Sequence, residues 1–232
     1  MVLFFLSHAG GSAKSYVSFK RFLPKELTVI PLELSGRFSR MAEPLIDNVH
    51  DCAAELIEAH KEYFNGEYAL FGHSMGTVLA TELAKQAKEK GLAMPKHLFV
   101  SGKTPPDLNM PCMADIENKS DDEIVEYFSH NSLSASTPVP PDHRLTQMLN
   151  KILCTDVRMI EHCKITPDDI KVDCDITAFY GKSDPLLQNS DMNSWSRFTN
   201  GKCEVYPFEG DHFYYIGCKE AVCNIIKEKI CK

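Results

Sequence analysis

The sequence predicts an α/β fold: a mostly parallel sheet flanked by helices, with a helical lid inserted between two strands. Three observations carry this. Apolar runs of strand length alternate with amphipathic stretches of helical period along most of the chain. The alternation breaks once, over about residues 104–170, where helix and loop signals follow one another without a clear strand. One apolar run, residues 68–72, also leads straight through Gly72-His73-Ser74-Met75-Gly76 into an amphipathic helix.

Residues 2–8 read as the first strand, followed by the glycine-rich loop HAGGSA and a helix over residues 13–22. Residues 27–34 form a second strand despite Pro31. Asp47 or Asn48 caps a helix that gathers Val49, Cys52, Ala53, Leu56, Ile57, His60 and Phe64 on one face. After the third strand, the helix following Ser74 buries Met75, Val78, Leu79, Leu83 and Ala87. It shows Glu82, Lys85 and Lys88 to water and stops near Gly91. Residues 96–102 are the fourth strand.

Within the insertion, Ser120 and Glu123 have the spacing of a capping box. Residues 132–141 are a Ser/Pro-rich stretch expected to be mobile. A longer helix from about Asp142 aligns Leu145, Met148, Leu149, Ile152 and Leu153. An insertion at this place reads as a lid, its apolar stripes covering an active site or simply the core. The pattern resumes through residues 175–181, 191–198 and 202–208, and a final helix starts near Glu220.

A chain of 232 residues suits one domain, 1–232, with a substantial core. The net charge of −7 argues against a general nucleic-acid binder. Charge is uneven: residues 1–40 hold six basic side chains against two acids, so a basic N-terminal face is available to an acidic partner. The apolar start is too short and lacks the basic flank of a signal peptide, and no run reaches the ~20 apolar residues of a membrane span. Nine cysteines without a CxxC pair or zinc spacing read as reduced residues of a cytoplasmic protein with no metal site.

The chemistry centres on Ser74. A serine hydroxyl is a weak nucleophile and needs a base to accept its proton. It must also protrude, which a sharp strand-to-helix turn achieves when Gly72 and Gly76 remove the side chains that would collide there. The helix starting at Met75 offers free N–H groups and positive dipole character to a developing oxyanion. The partners should follow in the order acid, then histidine, each after a strand. Asp184 in AFYGKSDP and His212 in VYPFEGDHFYY meet that order. His212 is then the general base, and Asp184 holds its tautomer. Asp211, Asp191 and Asp175 are the rival acids. Asp211 adjoins His212 along the chain, and Asp175 opens its strand at the wrong end of the sheet. The second oxyanion amide should come from the loop after the first strand, where Ala9 is the candidate beside Met75. His8 is read as shaping that loop, and His73 as pointing away from substrate.

The segments FLSHAGGSAKSY, LSGR, LFGHSMG, LCTDVRMIE, GKSDP and EGDHFYY occur in an order that resembles type II thioesterases. These are free-standing α/β-hydrolases that accompany polyketide synthases and nonribosomal peptide synthetases. The resemblance spans nearly the whole chain. It implies an α/β-hydrolase fold with Ser74 as nucleophile, Asp184 and His212 as triad partners, and the Ala9 and Met75 amides as oxyanion hole. It implies hydrolysis of an acyl thioester held on the phosphopantetheine arm of an acyl or peptidyl carrier protein, for editing or product release. The chemistry itself requires no metal or organic cofactor, and a monomer is expected. Ser35-Gly36-Arg37-Phe38 departs from the family's Pro-Gly-Arg-Gly-like stretch and leaves acyl and carrier choice open. Carrier proteins are commonly acidic, so Arg37 or its neighbours are expected to contact the carrier. The same triad would equally serve a carboxylesterase or an acyltransferase, and a receptor-like binding module of this fold stays as a third reading.

Overall fold

In the computed structural model, which describes residues 1–108, 116–130, 142–187 and 190–231, six strands form one sheet. They are β1 (Val2–Leu6), β2 (Thr28–Pro31), β3 (Tyr68–His73), β4 (His97–Ser101), β5 (Asp175–Gly181) and β6 (Cys203–Phe208). Their order is β2-β1-β3-β4-β5-β6, and all five pairings are parallel. The fold is that of the α/β-hydrolases.

The central strands are continuous apolar runs because both faces are covered. On β1, Phe4 and Leu6 join Leu56, Leu70, Val78 and Leu83 on one face, against α2 (Val49–Ala59) and α4 (Met75–Glu89). Leu3 and Phe5 face the other way, among Phe71 of β3 and Tyr16, Phe19, Val222 and Ile226, which come from α1 (Lys14–Val17), the 3-10 turn after it and α7 (Lys219–Ile230). The expected second strand is shortened to four residues. Its Pro31 is tolerated because β2 lies at the sheet edge and needs donors on one side only.

Local signals operate as the residues suggest. Asn48, rather than Asp47, caps α2 by accepting the Asp51 amide at 2.7 Å. His60 breaks that helix, and Phe64 falls in the separate short α3 (Lys61–Phe64) while staying fully buried. One expectation fails on α4. Glu82 is buried rather than exposed, because α2 packs across it, and it binds His50 Nδ1 at 2.9 Å and Gln86 at 2.9 Å. Lys85 is half-buried beside it, and Lys88 is exposed.

Between β4 and β5 the described residues contain α5 (Asp121–His130) and α6 (His143–Glu161). The Ser120–Glu123 capping box closes in both directions, the Ser120 amide donating to Glu123 and the Glu123 amide to Ser120 Oγ. Asp142 caps α6 through the Arg144 and Leu145 amides. These helices share a small core of their own, built from Ile116, Ile124, Phe128, Cys154 and Val157. Residues 132–141 lie outside the described residues. No described helix is long and apolar enough to cross a membrane.

Candidate active site

Ala9, Ser74, Asp184 and His212 follow β1, β3, β5 and β6, so parallel strands deliver all four to one edge of the sheet. Ser74 adopts φ 54°, ψ −119°, a left-handed conformation that bulky side chains avoid, between the end of β3 and the start of α4. The turn closes because two glycines face backbone. A Cβ on Gly72 would lie 2.2 Å from the Gly76 carbonyl oxygen, and one on Gly76 would lie 2.2 Å from that of Leu6. The Ser74 amide donates to the Ser101 carbonyl at 2.7 Å, which ties the turn to β4. Among the described residues, the Met75 and Ala9 amides have no acceptor.

His212 Nδ1 lies 2.7 Å from Asp184 Oδ2, and both side chains are buried. The other oxygen, Asp184 Oδ1, accepts the Leu186 amide at 2.9 Å, so the carboxylate is held at both ends. The rival acids have other work. Asp211 accepts the Phe213 amide, Asp191 caps a 3-10 turn through the Asn193 amide, and Asp175 accepts the Lys202 amide at the far end of β5. A cavity of about 60 Å³ is bounded by Ser74, His212, His8, Ala9, Phe128, Ser129, Leu153 and Phe213. Ser74 and His212 thus face the same space, which α5 and α6 wall through Phe128, Ser129 and Leu153. No hydrogen bond joins the two side chains.

The flanking histidines are neutral. Burial, with smaller contributions from His212 and Arg37, lowers the His8 pKa to about 3. Its ring stacks edge-on against Phe213 at 4.8 Å, and its carbonyl accepts the Gly11 amide. Burial, with His212 and His8 beside it, also holds His73 well below the usual histidine range. His73 is absent from the cavity lining. It lies beneath His212, ring centroids 4.8 Å apart, with Nδ1 2.9 Å from Ser101 Oγ, which itself lies 2.6 Å from the Tyr214 hydroxyl. This support under the histidine was not read from the sequence, since Ser101 and Tyr214 carry no motif.

Arg37 corrects an expectation. It is 1% exposed and binds Asp156 of α6 through both terminal nitrogens, at 2.6 and 2.7 Å, so it cannot meet a partner surface. Arg40 is likewise engaged, with Glu43 and Glu55. The exposed basic residues of this end are Lys14, Lys20, Arg21 and Lys25. Asp156 was missed, although a signal existed: it is the one charge in the apolar stripe Leu149, Ile152, Met159 of α6. Among the described residues, no group of His, Cys, Asp or Glu has metal-ligating geometry.

A thioesterase-domain family model matches residues 2–230. The chain belongs to the thioesterase family. It is 30% identical to the gramicidin S biosynthesis protein GrsT of Aneurinibacillus migulanus, over 91% of this chain and 82% of that one. Among solved structures, ClbQ from the colibactin NRPS/PKS pathway superposes with a TM-score of 0.87 at 30% identity, covering 99% and 96% of the two chains. The type II thioesterase BorB from the borrelidin biosynthetic cluster superposes with a TM-score of 0.83 at 28% identity, covering 98% and 91%. The enzyme is therefore a hydrolase of thioester bonds.

Proposed function

We propose that this thioesterase hydrolyses acyl thioesters from the phosphopantetheine arm of acyl or peptidyl carrier proteins, editing a stalled synthase or releasing its product. The observation that carries the reading is that Ser74, His212 and Ala9 line one cavity, with Asp184 bound to His212 behind it and the Met75 amide, next to Ser74 in the chain, left without an acceptor. The similarity to GrsT, ClbQ and BorB supports the carrier-bound substrate.

The roles follow from the geometry. Ser74 Oγ attacks the thioester carbonyl while His212 Nε2 takes its proton. Asp184 holds Nδ1–H, fixing the tautomer and stabilising the imidazolium. The tetrahedral oxyanion points at the amides of Met75, at the start of α4, and of Ala9. Collapse breaks the C–S bond, and the departing thiolate sulfur takes the proton from His212 and leaves as the thiol. Water then repeats the sequence on the acyl-Ser74 ester. Neutral His8 and His73 suit this scheme, since neither places a second positive charge beside the imidazolium.

The segment between β4 and β5 acts as a lid in a single domain spanning 1–232, and a long thin arm can enter beneath it. The protein works in the cytoplasm as a monomer, on carrier proteins rather than on nucleic acid or membranes. Time-resolved mass spectrometry of an acyl-loaded carrier protein tests the reading. Loss of the acyl mass that Ser74→Ala abolishes is the expected result. An intact acyl carrier across a panel of chain lengths, with simple oxygen esters still cleaved, would move the activity to a carboxylesterase or acyltransferase.

A further inference from the structure

One buried carboxylate joins three segments that are far apart in the chain. Asp156 Oδ2 accepts Arg37 Nη1 at 2.6 Å and the Gly10 amide at 2.8 Å, and Oδ1 accepts Arg37 Nη2 at 2.7 Å. Asp156 is fully buried on α6, Arg37 lies in the loop after β2, and Gly10 follows Ala9 in the loop after β1. The Arg37 loop is contorted to make this contact. Gly36 at φ +75° precedes it and Phe38 at φ +41° follows, a positive value that a phenylalanine rarely adopts.

Stability alone is a weak reason for such an arrangement. Desolvating two charges consumes most of their attraction, and apolar side chains of similar size commonly do as well. What the pair provides is direction. The loop His8-Ala9-Gly10-Gly11 has two adjacent glycines and so has wide conformational freedom. The Gly10 N–H is turned onto Asp156, and the Gly11 N–H onto the His8 carbonyl at 2.9 Å. Both glycine amides are thereby withdrawn, and Ala9 supplies the amide left without an acceptor at the cavity. Gly10 also rests on α6, where a Cβ would touch Leu153 at 3.5 Å, and Leu153 itself lines the cavity.

We propose that Asp156, held by Arg37, is a positioning residue for the oxyanion amide of Ala9, and that it ties the geometry of that loop to helix α6. The proposal rests on the reading of Ser74 as nucleophile and Ala9 as oxyanion donor. Arg37 orients the carboxylate from one side so that its remaining lone pair meets Gly10. A shift of α6 would therefore move the Ala9 amide relative to the carbonyl under attack.

Single substitutions would leave one buried charge uncompensated and could unfold the chain, so the test removes both. Arg37→Met with Asp156→Leu keeps the volume, loses both charges and releases the Gly10 amide. Arg37→Gln with Asp156→Asn serves as a second variant that keeps the polar shape without charge. Folding is checked by circular dichroism and thermal melting. Turnover of a small acyl thioester lacking any carrier is measured beside wild type and Ser74→Ala, together with the affinity of an alkyl boronic acid that mimics the tetrahedral adduct. For the folded apolar variant, kcat should fall ~10²-fold, the scale of losing one oxyanion donor, with KM within about threefold. Boronate affinity should fall in parallel with kcat, and the Gln/Asn variant should lie between the two. A purely structural role would not selectively weaken the tetrahedral mimic. A folded variant of either kind with kcat and boronate affinity within about threefold of wild type would overturn the proposal alone. Wild-type turnover in Ser74→Ala would overturn the reading beneath it, and the proposal with it.

Discussion

His212 and Asp184, 28 residues apart in the chain, meet at 2.7 Å because they leave adjacent parallel strands at the same edge of the sheet. In the proposed mechanism, with Nδ1 committed to Asp184, the other ring nitrogen receives the Ser74 proton. Asp184→Asn should therefore lower kcat by roughly 10³–10⁴-fold while KM changes only a few-fold, because the amide favours the wrong tautomer. Ser74→Ala and His212→Ala should each cost roughly 10⁴–10⁶-fold, and combining them should add little, since nucleophile and base act as one unit. Steady-state kinetics on a thioester checks all four proteins. A double variant whose loss is the product of the single losses would break that unit apart.

The turn at Ser74 makes a sharper claim about stability. Gly72 and Gly76 each approach a backbone carbonyl so closely that an added methyl group would sit 2.2 Å from its oxygen. Neither backbone can move without disturbing a central strand. Gly76→Ala should destabilise by more than about 4 kcal/mol, at the exceptional end for point substitutions. Gly91→Ala is the control, because that glycine has φ +65° but open space around it. It should cost only about 1–2 kcal/mol of left-handed strain. Urea denaturation separates the two outcomes.

Acid should weaken the fold before any carboxylate needs to be protonated. His8 titrates at about 3 and His97 at about 4 in the folded chain, both because burial disfavours the imidazolium, against an ordinary value of 6.5. His73 is also held well below the usual histidine range, for the same reason. The unfolded chain thus binds protons near pH 6.5 that the folded chain refuses. Stability is complete above that pH and declines as pH falls toward 4, by up to about 1.4 kcal/mol per pH unit for each histidine. Urea midpoints measured at pH 7.5, 6 and 5 should fall steadily. A flat profile would show that these rings are not excluded from protonation.

Acyl selectivity should depend on Leu153 and Phe128 rather than on Leu149. The first two line the cavity beside Ser74, whereas Leu149 lies a turn away on α6 outside that lining. Leu153→Ala should raise kcat/KM for longer acyl chains relative to acetyl by about 10-fold, within the ~1–3 kcal/mol that one methylene controls. Leu149→Ala should leave that ratio within about twofold. Competition between acetyl and longer acyl thioesters, read by mass spectrometry, gives the ratio directly.

Much of this molecule is written locally. The continuous apolar runs of β1, β3 and β4 announce strands buried on both faces, and the Ser120–Glu123 and Asp142 caps announce α5 and α6. Gly-x-Ser-x-Gly is legible because its constraint is local: two missing side chains, one turn, one helix start. Asp184 and His212 are legible because a parallel sheet sends every strand's end to the same edge, so order along the chain suffices to place them.

Other features depended on how layers pack. Glu82 looked exposed on α4 by period alone and is buried because α2 crosses it. Arg37 looked like part of a basic surface and instead lies inside, against Asp156, 119 residues away. The support that Ser101 and Tyr214 give to His73 likewise spans three separate elements. The sequence by itself determined the strand and helix order, the turn that presents Ser74 and the choice of Asp184 and His212 as its proposed partners, because period, capping, steric exclusion and strand order are all read along the chain. Only the tertiary structure decided which charges are buried and what holds the glycine loop after β1, because the cost of burying a charge depends on partners that folding brings from far along the chain.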